Sequence, residues 1–238
     1  MARCAALWNG SGLTDMPRVA IVAAMEREVK PLIRSWSRRQ SEHNGKTFRL
    51  FEKGNVVLVC GGIGAEAARR AAETVIALYS PSIVYSAGFA GALTPEMKVG
   101  AVLLPRRVVD AGDGSSVDTE TGEGVLVSFA SVASPQQKVK LGESFAAAAV
   151  DMEAAAVARA AQARGLQFAA VKAISDEIHF AMPEMDRFVA PDGTFRSGKF
   201  AIYTVLRPSL WRTVAQLSRN SARASRALCA RLAEMTAS

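Results

Sequence analysis

Short apolar runs that end in glycine or an acid, each followed by a segment of helical periodicity, constrain this chain more than any other feature. Arg18–Ala23 reads as a buried strand. Glu26–Trp36 follows as a helix, with Val29, Leu32, Ile33 and Trp36 at helical spacing. Thr47–Glu52 and Asn55–Cys60 read as strands joined at Lys53-Gly54. Gly61-Gly62-Ile63-Gly64 breaks the chain before an alanine-rich helix, Ala65–Tyr79. Ser82–Ala87 is a strand ended by Gly88-Phe89-Ala90-Gly91. Val99–Val109 is a strand pair, or one long strand kinked near Pro105, and 110–124 is a surface loop before the strand Val125–Ala130. Met152–Arg164 is a helix stopped by Gly165. Phe168–Ile174 is a strand, 177–197 is irregular, and helices cover Gly198–Leu206 and Ser209–Met235. This alternation predicts an α/β fold: one three-layer domain over 17–238, with a mostly parallel, mixed central sheet flanked by helices. Residues 1–16 read as a disordered extension.

Half of the 238 residues are hydrophobic, enough for a full core, yet no apolar run reaches the roughly 20 residues that span a bilayer. Cys4, Cys60 and Cys229 are too few and scattered for a disulfide framework or a zinc site, which fits a reduced cytoplasm. With His43 and His179 as the only histidines, a His-based triad or metal cluster is not expected. The net charge of +7 is uneven: Arg207 to Arg231 holds six arginines and no acid. On the last helix Leu210, Val214, Leu217, Ala224, Leu228 and Leu232 fall on one side. Arg212, Arg219, Arg223 and Arg226 fall on the other, and this spacing predicts a packed face and a solvated face. The arginine stripe is the candidate for peripheral contact with an anionic membrane. Without interleaved aromatics or a recognised module, no nucleic-acid partner is expected.

Gly61-Gly62-Ile63-Gly64 has the wrong spacing for a dinucleotide fingerprint, and no phosphate-loop motif is present. A tight strand-to-helix turn, with backbone N–H groups free to approach a small polar ligand, fits it better. Gly88–Gly91 reads as a second such turn, and two turns at strand ends would line one crevice. Glu26, Glu28, Glu153 and Asp176 each lie beside an apolar segment. For Glu26 the helix dipole is explanation enough. For Asp176 a cap or turn competes with a functional role.

With these segments in view, the chain resembles the 5′-methylthioadenosine/S-adenosylhomocysteine nucleosidases within the nucleoside phosphorylase superfamily. Ala24-Met25-Glu26-Arg27-Glu28-Val29, Gly61–Gly64, Ser86-Ala87-Gly88-Phe89-Ala90-Gly91, and Val150-Asp151-Met152-Glu153-Ala154 followed by Ala173-Ile174-Ser175-Asp176 match in order, across roughly 17–105 and 145–177. The resemblance implies a small-molecule nucleoside substrate, no metal or organic cofactor, and a homodimer. It implies Asp176 as the general acid at purine N7, steadied by Ser175. Glu28 would orient or deprotonate the attacking water. Glu153 would accept from the ribose hydroxyls, with Met152 against the sugar. Gly62, Ile63, Ala87, Gly88, Phe89 and Val132 would complete the substrate site.

The resemblance leaves two reactions open, hydrolysis and phosphorolysis, and a non-catalytic nucleoside-binding protein as a third role. Superfamily phosphorylases hold phosphate with an arginine and a serine around the third glycine segment, where this chain has Ser86 and Phe89. That favours water, although Arg69, Arg106 or Arg107 could supply a phosphate contact from elsewhere. Val132 stands where the family has an aromatic residue that stacks on the purine, and Lys172 replaces the usual arginine. The 176–195 segment is longer than in the nucleosidases, and the shorter 110–135 segment would open the pocket to a bulkier 5′ substituent. The run Leu206-Arg207-Pro208-Ser209-Leu210-Trp211 is similar to hopanoid-associated phosphorylases, which act on a lipid-linked adenosine. Trp211 is expected to anchor the last helix in the core.

Overall fold

The computed structural model describes residues 19–236, so the extension expected over 1–16 lies outside the described residues. Eleven strands form one mixed sheet. In chain order these are β1 Val19–Ala23, β2 Ser37–His43, β3 Lys46–Lys53, β4 Val56–Cys60, β5 Ile83–Ala92, β6 Val102–Leu103, β7 Arg107–Asp110, β8 Ser116–Asp118, β9 Val125–Ser128, β10 Ala149–Asp151 and β11 Gln167–Asp176. The helices are α1 Glu26–Ile33, α2 Ala65–Tyr79, α3 Pro135–Phe145, α4 Ala154–Gln162, α5 Ser197–Val205 and α6 Trp211–Thr236.

The strand order is β2-β3-β4-β1-β5-β10-β9-β7-β8, with β11 paired to β5 and to the short β6. The centre, β4-β1-β5-β11, is parallel. Antiparallel pairing at β2-β3, β3-β4, β7-β8, β6-β11 and β5-β10 surrounds it. Central strands bury both faces, which is why they read as continuous apolar runs. Ala20 and Val22 enter the cluster under α2 and α4, while Ile21 and Ala23 enter the one under α1 and α6. These two cores, one on each face of the sheet, make the three layers. A third cluster, with Val127, Leu141 and Val150, seats α3.

Two expectations change. β5 does not stop at Ala87; it runs through Gly88-Phe89-Ala90-Gly91 to Ala92, so this segment is strand and not turn. Its pairing with β11 continues from Ile83 to Gly91, and a neighbour along that length keeps the glycines extended. Trp211 is not a core anchor: it is 54% exposed, with its indole N–H donating to the Thr204 carbonyl at 3.0 Å. The amphipathic reading of α6 holds, with Leu217, Ala224, Leu228 and Leu232 buried and Arg212, Arg219, Arg223 and Arg226 exposed. β2, β8, α3 and β10 were not foreseen.

Candidate functional site

The ends of β1, β10 and β11 converge beside the second half of β5 around a cavity of about 310 Å³. α1 leaves β1 over this cavity. Glu28, in the first turn of α1, folds back so that its Oε2 accepts from the Met25 backbone N–H at 3.2 Å. That bond satisfies a donor the helix start would otherwise leave free. It also holds a carboxylate that is 4% exposed against the cavity.

Gly88 makes room for it. A Cβ there would lie 3.2 Å from Glu28 Oε2 and 3.7 Å from Lys172 Nζ. Gly91 does the same for the other side of the site, where a Cβ would lie 2.9 Å from Asp176 Oδ2 and 3.1 Å from Lys138 Cε. The glycines of β5 are therefore spaces cut for charged side chains.

Consecutive residues of a regular strand face opposite sides, yet Ser175 and Asp176 both line the cavity. The register of β11 against β5 shifts between Ile174 and Asp176, and this irregularity re-aims the side chains. Ser175 Oγ then donates to Asp176 Oδ1 at 2.7 Å. Asp176, 4% exposed, also takes a hydrogen bond on Oδ2 from the buried Lys138 ammonium.

β10 ends in Asp151, whose two oxygens are both used. Ser128 Oγ donates to Oδ1 at 2.6 Å, and the Ala154 backbone N–H at the start of α4 donates to Oδ2 at 2.9 Å. Lys172 Nζ pairs with the same Oδ2 at 2.9 Å and donates to Ser86 Oγ at 3.0 Å. Glu153 at the N-cap of α4 reaches across to the start of α2, accepting from the Gly64 N–H at 2.8 Å and from the Met152 N–H at 3.2 Å. Gly64 offers that N–H from a φ of +95°, a conformation that favours glycine.

Burial pushes the Glu28 carboxyl above the usual carboxylate range, with Lys172 and the Met25 N–H pulling it back. Burial, then repulsion from Asp151, pushes Glu153 up to about 7 against the attraction of Lys172. Burial works against the Lys172 charge, but Asp151, Glu153 and Glu28 around it raise its pKa overall. An acid pushed up to about 7, as Glu153 is, suits strong hydrogen bonding with a polar ligand.

Among the residues expected at the site, Glu28, Ile63, Phe89, Val132, Met152, Glu153, Ser175 and Asp176 all line the cavity. Ala87, Gly88 and Gly62 do not. Ala87 is buried in the core under α1 and α6, Gly88 backs Glu28, and Gly62 packs on Gly193, where a Cβ would lie 2.9 Å from the carbonyl oxygen. Arg69 and Arg107 are tied up outside the cavity, in pairs with Glu66 and Glu73 and with Asp118.

Several lining residues were missed: Lys138, Asp151, Arg27, and the aromatics Phe195 and Phe200. Phe195 and Phe200 bring aromatic rings from a different part of the chain to a pocket where Val132 leaves the expected position aliphatic. The guanidinium of Arg27 lies over the Phe195 ring, 5.3 Å from its centre. The Ser134-Pro135-Gln136-Gln137 start of α3 was the signal available in sequence: Gln137 N donates to Ser134 Oγ at 3.3 Å, and Ser134 N to Gln137 Oε1 at 2.8 Å. Among the described residues no group of three or more His, Cys, Asp or Glu side chains is arranged to hold a metal ion.

The family model described as Phosphorylase superfamily matches residues 18–130 and 118–197. A 5′-methylthioadenosine/S-adenosylhomocysteine nucleosidase of Marinomonas sp. (strain MWYL1) is 30% identical over 200 residues, covering 68% of this chain and 86% of that protein. The crystal structure of such a nucleosidase from Colwellia psychrerythraea 34H, in complex with adenine, superposes with a TM-score of 0.59 at 25% identity, covering 67% of this chain and 82% of that one. The futalosine hydrolase of Helicobacter pylori strain 26695 shares the fold, with a TM-score of 0.66 at 19% identity over 92% of this chain and 98% of that one. The chain belongs to the phosphorylase superfamily, as a member similar to its 5′-methylthioadenosine/S-adenosylhomocysteine nucleosidases.

Proposed function

We propose that this chain is an enzyme that cleaves the N-glycosidic bond of a 5′-modified adenosine or related purine nucleoside, releasing the base by attack of water. The observation that carries this is the meeting of Asp176, Glu28 and Glu153 on one cavity. Asp176, with Ser175 beside it, serves N7 of the departing purine, since a base leaves far more easily once that nitrogen takes a proton. Glu28, buried against the cavity and pushed above the usual carboxylate range, takes the proton of the attacking water. Glu153 accepts from the ribose hydroxyls, and its charge also stabilises the sugar as it becomes cationic. Met152 packs on the sugar, and Phe89, Phe195 and Phe200 enclose the base and the 5′ side.

Water is favoured over phosphate by the charge balance. Four carboxylates, Glu28, Asp151, Glu153 and Asp176, line the cavity, while Lys138 already pairs with Asp176 and Lys172 with Asp151. With Arg27 as a third cation against four acids, an incoming phosphate dianion would meet an excess of like charge. The test is base release from a panel of 5′-substituted adenosines, with phosphate present and absent. Release without phosphate is expected. Strict phosphate dependence with a sugar 1-phosphate as product would assign phosphorolysis instead. Tight nucleoside binding with no release over hours would assign a binding protein.

A specific observation favours a large apolar 5′ group and contact with an anionic membrane. On α5 and just after it, Ile202, Val205 and Leu206 are 64%, 66% and 73% exposed, beside the exposed Trp211. Phe200 on the same helix lines the cavity. From Gly193 to Ala233 the chain has eight lysines and arginines (Arg196, Lys199, Arg207, Arg212, Arg219, Arg223, Arg226, Arg231) and no acid. An apolar helix face ringed by cations suits the surface of an anionic bilayer. No helix of the described residues is long and apolar enough to cross one. Cosedimentation with phosphatidylglycerol vesicles, and none with phosphatidylcholine vesicles, is the expected result. We also place the working unit over 17–238, as a cytoplasmic homodimer; equilibrium sedimentation reads the dimer.

A further inference from the structure

The cavity contains a cation that the roles above leave unused. Lys138, in the second turn of α3, is 1% exposed. Its ammonium donates to Asp176 Oδ2 and, at 2.8 Å, to the Glu177 carbonyl oxygen. With Ser175 on Oδ1 at 2.7 Å, each oxygen of Asp176 already accepts a hydrogen bond. Of the two donors on Asp176 the ammonium is the acidic one: moving one proton along the Nζ···Oδ2 bond converts ammonium and carboxylate into amine and carboxylic acid. Resting on the nucleosidase reading of the site, we propose that Lys138 is the positioning residue that arms Asp176, its ammonium being the source of the proton taken by the departing base.

The proton passes from Lys138 Nζ to Asp176, and from the Asp176 carboxyl to purine N7, as the electrons of the C1′–N9 bond move into the base. The water oxygen bonds to C1′ and gives its proton to Glu28. Lys138 is left as the amine and Glu28 as the acid, and exchange of one proton with solvent restores both. The sum is nucleoside plus water giving base plus free sugar.

Three elements converge on the pair. The Ser134–Gln137 capping box sets where α3 begins, three residues before Lys138. β11 supplies Asp176, and Gly91 of β5 leaves the space both side chains occupy. A buried ammonium is costly unless a partner or a task repays it. Tying α3 to β11 is a partner's role alone, so the experiment separates that from proton supply. The charged groups around the pair are Glu177, itself 3.6 Å from Lys98, and, lining the same cavity, Arg27, Glu28, Asp151 and Glu153, with Lys172 bound to Asp151.

In Lys138→Gln an amide still donates to Asp176 but carries no transferable proton. Base release should fall at least 100-fold in kcat with KM within threefold. The alkaline limb of the kcat–pH profile should move at least one unit to lower pH, because only a proton on Asp176 itself then serves. Lys138→Met should do the same, and Lys138→Ala should regain turnover with added ethylamine in a saturable way. Wild-type turnover and an unmoved alkaline limb in Lys138→Gln would overturn the assignment while leaving the nucleosidase reading intact. Absence of base release by the wild-type protein from every nucleoside tried would overturn both.

Discussion

Asp176, buried, and Glu153, half-buried, are acids on one cavity, but their partners differ, and so do the effects of changing them. Asp176 has an ammonium and a hydroxyl on its two oxygens. Asp176→Asn keeps the shape and removes the proton path, so base release should fall by roughly 10²–10⁴-fold, the usual worth of a positioned acid; a steady-state assay of released adenine reads it. Glu153 faces Asp151 and is pushed up to about 7. The folded protein therefore keeps a proton that the unfolded chain releases near the ordinary carboxylate value. This contribution to stability is full at acid pH and is lost as pH rises toward 7, up to about 3 kcal/mol. The charged form, the better acceptor for ribose hydroxyls, fills only above that pH. Melting temperature should thus fall between pH 5 and pH 7.5 while kcat/KM rises, and Glu153→Gln should flatten both trends in a pH series of melts and rates.

At the scale of the element, β5 decides most. A glycine-rich segment after an apolar run reads locally as a turn, because glycine leaves backbone freedom that sequence cannot show being used. Here β11 pairs with β5 as far as Gly91, and the missing side chains become room for Glu28 at Gly88 and for Lys138 and Asp176 at Gly91. Gly91→Ala should therefore cost activity more than stability: at least tenfold in kcat, with a melting temperature only a few degrees lower. α6 shows the opposite case, where spacing alone was sufficient. Its buried leucines pack against α1 and β11, and Leu228 has no exposed surface. Leu228→Ala should cost ~2–5 kcal/mol in a urea titration, the range for emptying a leucine site in a packed core, with kcat unchanged in the molecules that remain folded.

Across the whole molecule, the apolar and cationic surface of α5 and α6 lies outside the chemistry but adjoins the cavity through Phe200. Changing Val205 and Leu206 together to Glu should abolish cosedimentation with anionic vesicles while turnover of a small water-soluble nucleoside stays within twofold. Much of this molecule was legible beforehand. The strand and helix alternation and the amphipathic α6 follow from periodicity, because each is set by neighbours close in the chain, and eight of the eleven residues that the resemblance implied for the site line the cavity. What the sequence by itself determined is the layered α/β plan and which acids lie at strand ends. Only the tertiary structure decided what those acids face. Lys138 meets Asp176 across 38 residues, Lys172 is locked between Ser86 and Asp151, and Trp211 stays in solvent. Contacts of that kind depend on strand register and helix docking, which no local pattern encodes; a buried lysine and a solvated one look the same in sequence until the carboxylate beside them is known.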